Sequence, residues 1–172
     1  MSELLYLVAD IGATHARFQC CELTDRGVPS LVGEPLMLST QDFTDVDALL
    51  AAVRGHWPDH IFAAALIAVA GPVDLHSGDV TVLNTGLRLP RGALEKGFGC
   101  SVTCVNDFYA QAHAVPYLHE FRTLLSKGAQ QDLDVVGEAQ PKALLGPGSG
   151  LGMAALIPEA AGQWRVLASE GG

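Results

Sequence analysis

Apolar and polar positions follow two different periods along this chain, and the switches between them outline its elements. Leu4 to Ala9 is an apolar run closed by Asp10, Ala16 to Leu23 is a second strand-like segment, and Gly12 marks the break, so the pair reads as a tight hairpin. Leu31 to Leu38 is a third strand, set off by Pro29-Ser30 and by Ser39-Thr40-Gln41, and Pro35 within it points to a sheet edge. The period then changes: Phe43, Val46, Leu49, Leu50 and Val53 recur at helical spacing, which predicts an amphipathic helix over 43–55 ending near Gly55.

Ile61 to Ala70 is almost wholly apolar, as for a strand covered on both faces, and Gly71-Pro72 stops it. A tight loop at Leu75 to Asp79 leads to a short strand over Val80 to Leu83. Residues 90–98 read as a helix opened by Pro90 in its first turn. Ser101 to Val105 is strand again, followed by an Ala-rich helix over 108–118 that Pro116 ends or bends. From Lys127 to Lys142 the chain is polar and reads as a connecting excursion. Strand signals return at 143–145, 153–157 and 164–167, and the last four residues are turn chemistry. Strands alternating with helices make this an α/β protein.

Composition narrows the classes. At 172 residues and 49% hydrophobic the chain can bury one sizeable core but is short for two complete domains. A formal charge of -9 with few basic residues works against nucleic acid, whose binding needs Lys and Arg to displace counterions. Glu3 and Asp10 bound the first apolar run and no basic segment precedes it, so neither a secretory signal nor a membrane span is expected, and the expected location is the cytoplasm. The four cysteines agree with a reducing compartment. Cys20 and Cys21 are adjacent and face opposite sides of a strand, while Cys100 and Cys104 on an extended segment stand roughly 13 Å apart, too far for a disulfide. With no Cys-x-x-Cys spacing, buried thiols are the expectation rather than zinc.

Three short motifs carry candidate chemistry. In Asp10-x-Gly12-x-Thr14 a tight turn can aim backbone N–H groups and a hydroxyl at phosphate oxygens, while Asp10 holds a magnesium-bound water; equally, it suits an ordinary hairpin with Asp10 bonded locally. Asn106-Asp107 lies where a strand ends and a helix begins. That is the crevice where α/β sheets bind ligands, and it is also where Asn and Asp serve as helix caps. As a general base Asp107 would take a proton from a substrate hydroxyl, with Asn106 holding a neighbouring one. Gly146-Pro147-Gly148-Ser149-Gly150-Leu151-Gly152 holds four alternating glycines, either an anion cradle or a flexible hairpin. Gly150-x-Gly152-x-x-Ala155 fits a dinucleotide fingerprint, but strand rather than helix follows it.

Taken in order, residues 8–17 (Val-Ala-Asp-Ile-Gly-Ala-Thr-His-Ala-Arg), Ala68 to Val73, Val105 to Phe108, Leu145 to Gly152 and Ser169 to Gly172 resemble bacterial glucokinase along the whole chain. The resemblance implies an actin-like ATPase (ribonuclease H-like) fold, a mixed sheet with flanking helices, with residues 1–107 as most of a small α/β domain and 108–172 as the start of a large one. It implies ATP-dependent phosphorylation of glucose to glucose 6-phosphate, feeding glycolysis, with Mg2+ as cofactor and a homodimer at full length. In that scheme Asp107 is the catalytic base, and Asn106 and Glu170 bind sugar hydroxyls. Asp10, Gly12, Ala13 and Thr14 form the first phosphate turn, Gly148, Ser149 and Gly150 the second, and Asp10 reaches the metal through water. The family's first turn usually reads Gly-Gly-Thr-Asn, whereas Ala13 and His15 stand here, and Leu87 and Arg88 occupy a region where a tryptophan is common. It also implies that the chain is about the first half of a kinase, inactive alone. Two alternatives remain at this point: a non-catalytic sugar-binding regulator of the same superfamily, or a kinase for another hexose.

Overall fold

A computed structural model describes residues 4–25, 27–118, 140–147 and 151–170. The chain divides into two compact units, Met1–Asp107 and Phe108–Gly172. The first unit is built on β1 (Leu5–Ile11), β2 (His15–Leu23), β3 (Pro29–Ser39), α1 (Val46–His56), β4 (Phe62–Val69), the short pair β5 (Val80–Thr81) and β6 (Arg88–Leu89), α2 (Arg91–Phe98) and β7 (Ser101–Asn106). Then follow α3 (Asp107–Ala114), β8 (Lys142–Pro147), β9 (Leu151–Pro158) and β10 (Trp164–Glu170).

Five strands of the first unit form one mixed sheet in the order β3-β2-β1-β4-β7. The β1–β2 and β2–β3 pairs are antiparallel, and β1–β4 and β4–β7 are parallel. Pro35 does lie on an edge strand, and the β2–β3 register is interrupted between Leu36 and Val32, so its missing N–H falls where no residue of β2 is paired. Leu7, Ala9 and Ile11 of β1, Ala16, Phe18 and Cys20 of β2, and Ala65, Ile67 and Val69 of β4 join Leu49, Leu50 and Val53 of α1 and Leu94 and Phe98 of α2 in one core cluster. Burying each large side chain of that set stabilises the fold by roughly 1.5–3 kcal/mol.

Three expectations are corrected. The first helix begins at Val46 rather than Phe43, because Asp45 takes the N-cap position and its Oδ1 accepts from the Ala48 N–H at 2.9 Å. Pro90 precedes the second helix as its N-cap; the cap bond comes from elsewhere, Asp79 Oδ1 accepting from the Arg91 N–H at 2.9 Å. The run Ile61 to Ala70 is not covered on both faces among the described residues: Ala65, Ile67 and Val69 are buried, but Leu66 is 45% exposed. Both helices of the unit join the core on the face of Ile67, which leaves the Leu66 face without them.

In the second unit β8, β9 and β10 form an antiparallel sheet in the order β10-β9-β8. Its core joins Ala154, Leu156 and Val166 to Ala112 and Val115, with Phe108, Leu144 and Trp164 against them. Pro116 ends α3 as expected, turning the chain into a 3-10 segment over Val115–Tyr117. The polar excursion over 127–142 lies outside the described residues except for its last three. Among the described residues no helix is long and apolar enough to cross a membrane.

Candidate active site

Parallel pairing aligns the ends of three strands. Ile11 stands level with Val69, and Val69 with Asn106, so β1, β4 and β7 finish together and Asp107 follows one residue beyond that line. At the usual inter-strand spacing, the turn after β1 and the Asn106-Asp107 pair are separated by roughly 10 Å along the sheet edge. This is the carboxyl edge where open α/β sheets collect their ligand-binding groups.

The turn after β1 is a hairpin closed by a bond from the Gly12 N–H to the His15 carbonyl at 2.9 Å. That N–H is therefore spent within the turn. The N–H groups of Ala13 and Thr14 are not taken by other backbone carbonyls among the described residues. They are the donors the turn can present, together with the exposed Thr14 hydroxyl. The Thr14 carbonyl accepts from the Thr40 N–H at 3.0 Å, so the segment after β3 buttresses the turn from behind. Thr40 is fully buried, and its Oγ1 has no hydrogen-bond partner among the described atoms.

Gly12 departs from the hairpin reading of its motif. Its φ is not positive, and a Cβ built there would meet only the His15 carbonyl oxygen, at 3.6 Å, an ordinary contact. Neither backbone conformation nor crowding calls for glycine here, and a side chain would occupy open space above the turn. A bare backbone in front of free N–H donors fits an anionic ligand such as a nucleotide phosphate. Asp10 supplies a half-exposed oxygen donor on the same turn, the hard ligand type that suits a hydrated magnesium ion. Its Oδ2 accepts from Arg17 Nη1 at 3.0 Å. Arg17 went unassigned in the sequence, although 10 and 17 lie equally far from the centre of a two-residue hairpin and so must pair.

Asn106 and Asp107 are both half-buried. The Asn106 Nδ2 donates a long hydrogen bond to the Gly71 carbonyl at 3.5 Å, which ties the end of β7 to the turn after β4. Gly71 itself is demanded by packing: a Cβ there would collide with the Thr81 carbonyl, in a stretch where the Leu83 N–H reaches the Ala70 carbonyl at 2.9 Å.

A separate depression of about 380 Å³ in this unit is lined by Pro72, Asp74, Ser77, Asp79 and Arg88, among others. Its acids are engaged in the fold. Asp79 caps α2, and the His76 and Ser77 N–H groups donate to Asp74 at 2.9 and 2.8 Å, bonds that, Ser77's first, hold its carboxyl below the usual range.

In the second unit the glycines divide. A Cβ on Gly146 or Gly152 would strike the Phe108 ring, so these two make room for a core aromatic rather than for a ligand. Gly148, Ser149 and Gly150 lie outside the described residues. Glu170 ends β10 in register with Gly152, which puts its backbone beside the start of β9. Among the described residues no group of three His, Cys, Asp or Glu side chains has metal-binding geometry.

A family model described as Glucokinase matches residues 7–172. The chain is 36% identical to a glucokinase of Ralstonia nicotianae, over 96% of this chain and 46% of that protein, and 34% identical to one of Paramagnetospirillum magneticum, over 100% and 50%. It thus spans about half the length of the curated relatives it matches. Among solved structures, glucokinase from an Antarctic psychrotroph superposes with a TM-score of 0.71 at 31% identity, over 98% of this chain and 50% of that one. A ROK family glucokinase from Streptomyces griseus, in complex with glucose and AMPPNP, is similar in fold at 23% identity and a TM-score of 0.60, over 94% and 46%.

Proposed function

The chain belongs to the glucokinase family, with the mixed sheet and flanking helices of the actin-like ATPase sugar kinases, and from that premise we propose that the whole protein transfers the γ-phosphoryl group of ATP to the primary hydroxyl of glucose. The observation that carries the reading is the shared strand end: an unexplained glycine turn and a half-buried carboxylate emerge from one sheet edge in aligned register.

In this reading the Ala13 and Thr14 N–H groups and the Thr14 hydroxyl hold nucleotide phosphate oxygens, and Asp10 holds Mg2+ through water. Bound there, the ion offsets charge on the β- and γ-phosphates. Asn106 binds a sugar hydroxyl and aligns the primary one against Asp107. The Asp107 carboxylate takes that hydroxyl's proton as its oxygen bonds to the γ-phosphorus; the bond from that phosphorus to the bridging oxygen breaks, and ADP leaves with the electron pair. Positioning and charge neutralisation supply most of the acceleration in such a transfer, because little covalent chemistry falls to the protein. We assign Gly148, Ser149 and Gly150 to a second phosphate turn and Glu170 to sugar binding. Residues 1–107 are read as the small domain and 108–172 as the beginning of the large one, a reading supported by the division of the chain at Asp107.

The test is turnover of the full-length protein with ATP, magnesium and a panel of hexoses, followed by coupled detection of the sugar phosphate. Glucose is expected to be the fastest substrate. A panel in which another hexose dominates would reassign the acceptor, and one in which none is phosphorylated would end the kinase reading.

A further inference from the structure

We propose that the interruption of β3 at Gly33, Glu34 and Pro35 guards the free edge of the first sheet against strand pairing with a second copy of this chain, an inference independent of the kinase reading above.

β3 closes one side of the sheet and runs for 11 residues, whereas the opposite edge strand, β7, has 6. Leu31, 72% exposed, and Met37, 56% exposed, stand on either side of the interruption. A long edge that carries apolar side chains and open backbone groups is a template for another strand.

The interruption has a definite construction. Phe18 pairs with Leu36 and Cys20 with Val32, so Gln19 of β2 stands opposite Gly33, Glu34 and Pro35 of β3. The loop thus adds an even number of residues, and side chains alternate with a period of two, so Val32 before it and Leu36 and Leu38 after it all pack against the same core. One extra residue would have turned half of the strand inside out. Gly33 has a φ of 69°, the left-handed backbone that favours glycine. The Gln19 amide fastens the loop from the next strand: its Nε2 donates to the Val32 carbonyl at 2.8 Å and the Gly33 carbonyl at 3.2 Å, as well as to the adjacent Cys20 carbonyl at 3.1 Å.

What the loop presents outward is unsuited to pairing. Glu34 sets a charge midway along the edge, Pro35 has no N–H to donate, and both are exposed. An incoming straight strand can follow residues 29–32 or 36–39 but not both in one register, because the loop breaks the ladder between them. Each piece is shorter than a typical strand of about 5–6 residues and offers little to hold a partner.

Sedimentation velocity on the full-length protein over a range of concentrations tests this. One variant deletes Glu34 and Pro35 and carries Gly33→Thr, which straightens β3 while keeping its core face in phase. A second, Glu34→Thr with Pro35→Val, preserves chain length and removes only the charge and the missing donor. In either variant the sedimenting mass should climb with concentration toward roughly twice that of the wild type, and adding Leu31→Lys and Met37→Lys should reverse the rise. Wild-type mass at every concentration would overturn the inference, and the length-preserving variant alone decides it if the deletion does not fold. A rise that the lysines leave unchanged would overturn it too, since association would then lie elsewhere.

Discussion

A methyl group at Gly152 would run into the Phe108 ring, whereas one at Gly12 would meet only a carbonyl oxygen at 3.6 Å. Alanine substitution should separate the two roles. Gly152→Ala should lower stability by about 1–3 kcal/mol, the usual cost of overfilling a packed site. Gly12→Ala should change stability by less than about 1 kcal/mol yet weaken ATP binding several-fold, because its methyl fills the space before the Ala13 and Thr14 donors. Thermal unfolding and nucleotide titration of both variants check this. A Gly12→Ala protein that unfolds early but binds ATP normally would return that turn to a purely structural role. At this scale the sequence was legible where a motif met a strand end and opaque where packing decided. Nothing in the spacing of Gly146 and Gly152 distinguishes a phosphate cradle from a seat for Phe108; that depends on a ring some forty residues away in sequence.

Cap chemistry accounts for most differences between expected and observed elements. Phe43 continues the helical spacing of Val46, Leu49 and Val53, but Asp45 captures the Ala48 N–H and starts α1 after it. The cap of α2 was not readable locally, because Asp79, twelve residues upstream, supplies it. Strands were read more securely, since β1, β2 and β4 each carry one fully apolar face toward a single core. Two of their thiols give a pH test. Burial pushes Cys20 on β2 up to about 11, with the neighbouring Cys21 thiol adding to it, and burial likewise pushes Cys104 on β7 up to about 11. Both are protonated in folded and unfolded chains at neutral pH and cost nothing there. Above about 9, their ordinary value, the unfolded chain ionises first, so stability should fall as pH climbs toward about 11. Urea midpoints across that window should decline more steeply in the wild type than in a Cys20→Ala, Cys104→Ala protein. Parallel declines would show that these thiols are not the cause.

At the scale of the whole molecule, the first unit carries a candidate phosphate turn and a candidate base on one sheet edge, and the second carries the antiparallel sheet β10-β9-β8. The topology that aligns β1, β4 and β7 was implicit in the alternation of strands and helices. Their common finishing line was not, because register depends on pairing and not on local pattern. Strand ends are where Asp10, Gly12 and Asp107 become chemically useful, so the register turns separated motifs into one candidate site. The central claim is that the carboxylate at 107 takes the proton of the sugar hydroxyl. Its most direct test is kcat for glucose phosphorylation by full-length Asp107→Asn, with glucose binding measured alongside. The account predicts a loss of about 10²- to 10⁴-fold with sugar affinity and melting temperature nearly unchanged. Wild-type turnover in that variant would contradict it.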